Sequence, residues 1–315
     1  MARILSVATA LPPHGVEQEE VRRRCAQVYR GRASLERLLG LFEHAGVDRR
    51  YFSFPPDYYL AGRSFEERND DFVRAALDLA ERAARACLDR AGVPAQKVDH
   101  VFLVTTTGLA TPSLEARLAG RLGLCPGVRR WPLFGLGCAG GAGALARAAE
   151  VLRGDPSRRA LVVSVELAGQ VFSLRADRPV DVVGAALFGE GAAAVLLSGA
   201  SGTPRIGEVR SVLFEGTEHL MGWRFTSDGM RLVLSPEVTD LVRGRLRPAV
   251  EELLAAAGLA AGDVRFWILH PGGRRILEAY REGLGLSEEA LAWSRRSLAR
   301  VGNLSSAAVF FVLAD

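Results

Sequence analysis

Short runs of β-branched and apolar residues alternate along this chain with longer runs of helical period. That alternation predicts an α/β layered fold, in which helices cover a largely buried sheet. Ile4 to Ala8, His100 to Thr107, Ala160 to Leu167 and Ala192 to Ser198 carry the strand pattern. Phe72 to Ala91, Leu114 to Leu122 and Ala142 to Arg153 carry the helical one, the first ended by Gly92 and Pro94. Gly199 to Pro204 is small and flexible, and is the best internal boundary. After it the order of elements partly repeats. Strands are expected at Val209 to Phe214, Val264 to His270 and Ala307 to Leu313. Helices are expected at Val238 to Ala257 and Arg274 to Leu284, with the end of another at Leu298 to Val301. Two halves follow, residues 1–200 and 201–315, alike in element order but without a detectable sequence repeat.

Composition narrows the functional classes. With 49% hydrophobic and 24% charged residues, the chain can bury a substantial core and does not resemble a disordered segment. No apolar run is long enough to span a bilayer. Met1 to Pro13 imitates a signal peptide weakly, because its apolar run is too short and reads better as a first buried strand. Net charge is +4, but the arginines are scattered among acids, as in Val21 to Arg24 beside Glu17, Glu19 and Glu20. Nucleic-acid binding needs a clustered basic face, so no nucleic-acid partner is expected, whereas an anionic small molecule suits the mild charge. Cys25, Cys87, Cys125 and Cys138 form no CxxC pair, so no metal site is expected. Reduced thiols and a cytoplasmic location are the expectation.

Three small-residue motifs carry the chemistry. The first is Gly135-Leu136-Gly137-Cys138-Ala139-Gly140-Gly141, just ahead of a helical run. A thiolate is the nucleophile of a cysteine, and a helix opening at Ala139 would stabilise it through unpaired N–H groups. Taken alone, Cys138 suits a buried structural role equally well. The second motif is His270-Pro271-Gly272-Gly273, at the end of an apolar run. A neutral imidazole there could orient the thiol or donate to a thioester oxygen. The third is Gly302-Asn303-Leu304-Ser305-Ser306-Ala307. A carboxamide donates at all pH values and suits a developing oxyanion, although asparagine is also common in turns. Three such residues in three such motifs point together to acyl transfer through a thioester.

In order and spacing these motifs resemble those of type III polyketide synthases, the chalcone and stilbene synthase family, over nearly the whole chain. The ketoacyl-carrier-protein synthase III relatives share the Cys-His-Asn logic, but typically have His-Gln-Ala-Asn at His270-Pro271-Gly272-Gly273. Plant-type fatty-acid elongation synthases match less well. The resemblance implies a thiolase-like, duplicated αβαβα layered fold and a homodimer. It implies an acyltransferase that loads a starter from acyl-CoA onto Cys138, then condenses malonyl-CoA onto it with loss of CO2. No cofactor and no membrane partner is implied. His270 and Asn303 would hold the thioester oxygen as the enolate develops. Phe188, in Leu187-Phe188-Gly189-Glu190-Gly191, resembles the family's gatekeeper phenylalanine.

The same resemblance assigns Thr106, Thr107, Val171, Trp223 and Leu232 to the cavity wall, with Gly272, Gly273 and Ser305 beside the substrate. Thr111 falls where a residue reaches across the dimer. Arg37 and His44 fall where two coenzyme A contacts belong, Gly40 occupies a third such position, and Arg49 and Arg50 are nearby charges. The family normally continues beyond Asp315 with closing strands and a Gly-Pro-Gly loop, so the C-terminal half is expected to be incomplete. Two other readings stand beside this one: a thiolase-fold condensing enzyme that uses acyl carrier protein, and an inactive scaffold subunit.

Overall fold

The computed structural model of the chain describes residues 1–30, 35–170 and 178–315. Val171 lies outside the described residues.

The first half builds the sheet. Strand β1 (Arg3–Ala10) is followed by a small hairpin of β2 (His14–Glu17) and β3 (Arg49–Phe52), with helices α1 (Gln18–Val28) and α2 (Leu35–Glu43) between them. Helix α3 (Pro56–Leu60) leads into α4 (Phe65–Ala91). Helix α4 starts about two turns before the apolar pattern because Ser64 and Glu67 form a reciprocal capping box, and it stops at left-handed Gly92, φ 62°. Next come β4 (His100–Val104), α5 (Leu114–Leu122), β5 (Arg129–Leu133), α6 (Gly140–Gly154), β6 (Arg159–Leu167), α7 (Pro179–Leu187) and β7 (Glu190–Ser198).

The sheet order is β1-β7-β6-β4-β5. Strands β6, β4 and β5 run parallel to one another, and β7 is antiparallel to both β6 and β1. Both faces are covered, which is why β4, β6 and β7 read as continuous apolar runs rather than alternating ones. On one face, Leu103, Leu161, Val163 and Leu196 meet Phe72, Ala76, Ala80 and Leu118 of α4 and α5. On the other, Phe102, Val104, Val162 and Val195 meet Ala144, Ala148 and Leu152 of α6.

The second half adds a hairpin, β8 (Met221–Thr226) and β9 (Gly229–Leu234), then α8 (Glu237–Ala256), α9 (Arg274–Leu284), α10 (Ala292–Val301) and α11 (Ala308–Ala314). Three expectations are corrected here. Ala307 to Leu313 is not a strand: it forms α11, whose Phe310 and Phe311 are buried on the second face of the sheet. Its apolar run fits a buried helix as well as a buried strand, and the face it covers decides which. Val264 to His270 and Val209 to Phe214 are irregular, because among the described residues no neighbouring strand pairs with either. Phe266 (71% exposed) and Leu213 (83%) accordingly face solvent. The run at Gly199 to Pro204 stays attached to the sheet, since the Ile4 N–H donates to the Pro204 carbonyl and the Ile4 carbonyl accepts from the Thr203 N–H.

A third apolar cluster joins the halves. Cys25 and Tyr29 of the α1 region pack with Leu38 and Phe42 of α2, Val182 and Ala186 of α7, Leu277 of α9 and Leu298 of α10. No helix among the described residues is long and apolar enough to cross a membrane.

Candidate active site

Cys138 sits in a short 3-10 turn, Gly137–Ala139, which feeds straight into α6. Glycine brings this turn close to the third motif. A Cβ on Gly141 would lie 2.1 Å from the carbonyl oxygen of Ser306, and one on Gly140 would lie 2.6 Å from Val104. The helix end can therefore press against residues 305–306, and the Cys138 thiol donates to Ser305 Oγ at 3.6 Å.

Asn303 is buried at the centre of the third motif. Its Oδ1 accepts from the Ser305 N–H at 2.8 Å, and its Nδ2 donates to the Gly272 carbonyl at 3.2 Å. Its carboxamide and the Ser305 hydroxyl both interact with the Cys138 sulfur. Ser305 has φ 48°, the only positive φ outside glycine among the described residues. Such a conformation costs about 1–2 kcal/mol, and it aims the hydroxyl at the thiol.

His270 ends its irregular segment, and its carbonyl accepts from the Gly272 N–H at 2.9 Å. The ring lies against Gly272, where a Cβ would come within 3.3 Å of the imidazole. Its Nδ1 is enclosed without a hydrogen-bond partner among the described residues. Gly273, at φ 144° and ψ 163°, occupies backbone space open essentially to glycine alone, and starts α9. The three motifs thus meet through one chain of contacts: His270, Gly272, Asn303, Ser305, Cys138.

Desolvation governs the electrostatics. Burial pushes the Cys138 thiol up to about 11, with the nearby Glu166 carboxylate acting in the same direction. The hydrogen bonds from Ser305 and Asn303 pull it down without prevailing. In the resting site enclosure therefore favours the protonated thiol. Burial also pushes the His270 imidazole down to about 4. The resting pair is therefore uncharged.

Glu166 is the residue that the sequence reading missed. It is fully buried on β6 and accepts from the Thr106 N–H at 3.0 Å, from the Thr106 and Thr107 hydroxyls at 3.2 and 2.8 Å, and from Ser306. Thr106 Oγ1 also lies 3.4 Å from Ser305 Oγ. The carboxylate holds the end of β4 against the third motif. A lone glutamate inside the apolar run Ala160 to Leu167 was the available signal.

Phe188 caps α7 and is bridged to Asn303. Asn303 N–H donates to the Leu187 carbonyl at 2.8 Å, and Gly189 N–H donates to the Asn303 carbonyl at 3.0 Å. Residues 1–201 match the profile described as chalcone and stilbene synthases, N-terminal domain, and residues 208–315 match the corresponding C-terminal domain.

The chain belongs to the chalcone and stilbene synthase family. It is 40% identical to 1,3,6,8-tetrahydroxynaphthalene synthase of Streptomyces peucetius subsp. caesius, over 99% of this chain and 84% of that protein. It is 32% identical to type III polyketide synthase 21 of Oryza sativa subsp. japonica, over 99% and 85%. The crystal structure of 1,3,6,8-tetrahydroxynaphthalene synthase from Streptomyces coelicolor A3(2), described as a bacterial type III polyketide synthase, matches with a TM-score of 0.96 at 29% identity. That match covers 99% of this chain and 90% of the other. The protein is a type III polyketide synthase with the thiolase-like α/β layered fold, and hence an acyltransferase.

Within this family member, Trp223 and Leu232 face each other across the β8–β9 hairpin, which the Arg178 guanidinium ties to the Leu232 carbonyl at 3.2 Å. Thr111 stands on an exposed loop, in an open surface pocket with Asn69, Val73, Leu109 and Arg117. Arg37 and His44 are exposed on and just beyond α2, on one face of it by their seven-residue spacing. Nothing within 4 Å would meet a Cβ on Gly40 between them. Arg49 is exposed, but Arg50 is fully buried and is no surface contact for an anion. Among the described residues no three His, Cys, Asp or Glu side chains are grouped to hold a metal.

Proposed function

We propose that this polyketide synthase loads an acyl starter from its CoA thioester onto Cys138 and extends it with malonyl-CoA. The observation that carries this reading is the meeting of Cys138, Asn303 and the His270–Gly272 turn in one hydrogen-bonded patch. The Cys138 sulfur attacks the thioester carbonyl as its proton passes to the neutral imidazole of His270, and the proton then leaves with the departing CoA thiol. Malonyl-CoA next loses CO2, and its thioester oxygen takes the developing negative charge. The Asn303 carboxamide and the His270 ring donate to that oxygen. The enolate carbon attacks the Cys138 thioester, the C–C bond forms, and the Cys138 sulfur leaves.

Phe188 lies beside Asn303 and supplies an apolar wall, which favours neutral CO2 over a carboxylate. This chemistry proceeds through thioesters alone and calls on no cofactor. Arg37 and His44 are the proposed contacts for the CoA phosphates, and Thr106, Thr107, Trp223 and Leu232 the proposed wall. A homodimer is proposed through the open edge of β5, where Trp131 (39% exposed), Phe134 (49%) and Leu136 (46%) form an apolar strip that would bring Thr111 to the partner.

The test is intact-protein mass spectrometry after incubation with straight-chain acyl-CoAs, then product analysis with malonyl-CoA. Acylation should be lost in Cys138→Ala, and Asn303→Ala should reduce CO2 release more than loading. Covalent acylation persisting in Cys138→Ala would sink the assignment. Activity seen only with malonyl-carrier protein would favour the carrier-dependent relatives.

A further inference from the structure

Strand β3 alternates, so Arg49 points to solvent and Arg50 points inward. Arg50 is completely buried, yet no carboxylate lies within ion-pair distance of it among the described residues. Its guanidinium is spent on backbone carbonyls instead. Nη1 donates to Ala185 and, at 3.1 Å, to Phe188, while Nη2 donates to Ala186 at 2.8 Å. These are the oxygens that the end of a helix leaves unpaired. A cation there also opposes the negative end of the helix dipole.

Phe188 is the residue at which α7 turns into extended chain, with φ −81° and ψ 138°. Its N–H bonds back to Gly184 at 2.9 Å, and Arg50 holds its carbonyl together with two others just before it. On the far side, Asn303 pairs with Leu187 and Gly189. A Cβ on Gly189 would lie 3.4 Å from Arg50 Cβ, and one on Gly302 would lie 3.7 Å from it. The arginine stem therefore runs beneath the joint that sets Phe188 against Asn303.

The geometry points to Arg50 as the positioning residue for Phe188, and through it for the decarboxylation step. This inference rests on the proposed function. Arg50 is not assigned to touch substrate; its planar fork reaches three carbonyls from two separate nitrogens, a spread that the point-like ammonium of a lysine does not reproduce. Releasing them lets the Phe188 backbone shift relative to Asn303, and a shift of about 1 Å at such a site costs about 100-fold in rate.

The test compares Arg50→Lys and Arg50→Gln with wild type, by release of labelled CO2 from malonyl-CoA and by iodoacetamide labelling of Cys138. In folded variants, verified by circular dichroism, kcat for CO2 release should fall about 10- to 100-fold. KM for malonyl-CoA and the Cys138 labelling rate should stay within about twofold. In a Phe188→Ala background, Arg50→Lys should add no more than about twofold, because the group it positions is already gone. Losses that multiply in the double variant would overturn the inference, as would equal loss of labelling. Failure of both single variants to fold would assign Arg50 to stability alone and overturn it too. If wild-type protein released no CO2 from malonyl-CoA, the functional reading itself would fail, a result separable from all of these.

Discussion

Gly141→Ala tests how tightly the helix that follows Cys138 is tied to the third motif. The new Cβ would meet Ser306 O at 2.1 Å and Val309 Cγ1 at 3.1 Å, where real contacts stay above about 3 Å. Ser306 cannot yield, since it is fully buried and its hydroxyl bonds Ser164 at 2.8 Å and Glu166. The start of α6 must therefore recede by about 1 Å. Overpacking of this kind costs about 1–3 kcal/mol, partly offset by the better helix propensity of alanine. A net loss of about 1–2 kcal/mol lowers Tm by about 2–6 °C. The 3.6 Å contact of Cys138 with Ser305 opens by a similar distance, so acyl loading should slow by about 100-fold. The assay is single-turnover transfer from an acyl-CoA, alongside thermal melting. Gly143→Ala is the control: its Cβ meets only the end of the Leu136 side chain, at 3.3 Å. That change should hold or raise Tm and leave loading intact. A Gly141→Ala protein with wild-type Tm and loading rate would refute the packing argument.

Other outcomes follow from the same structure. Burial pushes the Glu190 carboxyl from 4.5 to about 7, so the native state holds this proton more tightly than the unfolded chain. The contribution of this group is full below pH 4.5 and falls by about 3 kcal/mol as pH rises to about 7. Urea unfolding at pH 5 and pH 8 should show that slope flattened in Glu190→Gln, and an unchanged slope would contradict it. In Cys138→Ala, where no thiol can exchange a proton with it, the His270 imidazole should titrate near 4 by NMR rather than near 6.5. Trp131, stacked on Phe102 with centroids 5.2 Å apart, also faces outward on the β5 edge. Trp131→Asp should turn a dimer into a monomer by sedimentation, and an unchanged mass would remove β5 from the interface.

Where local chemistry settles an element, it was legible in the sequence. Helix α5 ends at Leu122 and α9 at Leu284, because Gly123 and Gly285 take left-handed conformations with φ 69° and 70°. The three chemical motifs were legible for a similar reason, since their glycines and prolines mark element ends. What distant neighbours decide was not legible. Ala307 to Leu313 becomes a helix because the sheet face it covers takes one, and Val264 to His270 stays irregular for want of a paired strand. The buried Arg50 hid beside exposed Arg49, distinguishable only by the alternation of a four-residue strand. The hydroxyl cluster around Glu166 draws on residues some 60 and 140 positions away, which no local pattern encodes.

Helix α11 packs on β1, β7 and α6, and so covers part of the sheet face beside Cys138. More than a hundred residues separate β7 from that helix, so on a ribosome making about 5–20 residues per second the part of the face that α6 leaves uncovered stands bare for roughly ten seconds. During that interval Cys138 exists without Asn303 or Ser305. On the proposed mechanism, the nascent chain thus carries a thiol but no means of stabilising an enolate. On that mechanism, carbon–carbon bond formation waits until residues 303–314 have been made and have docked.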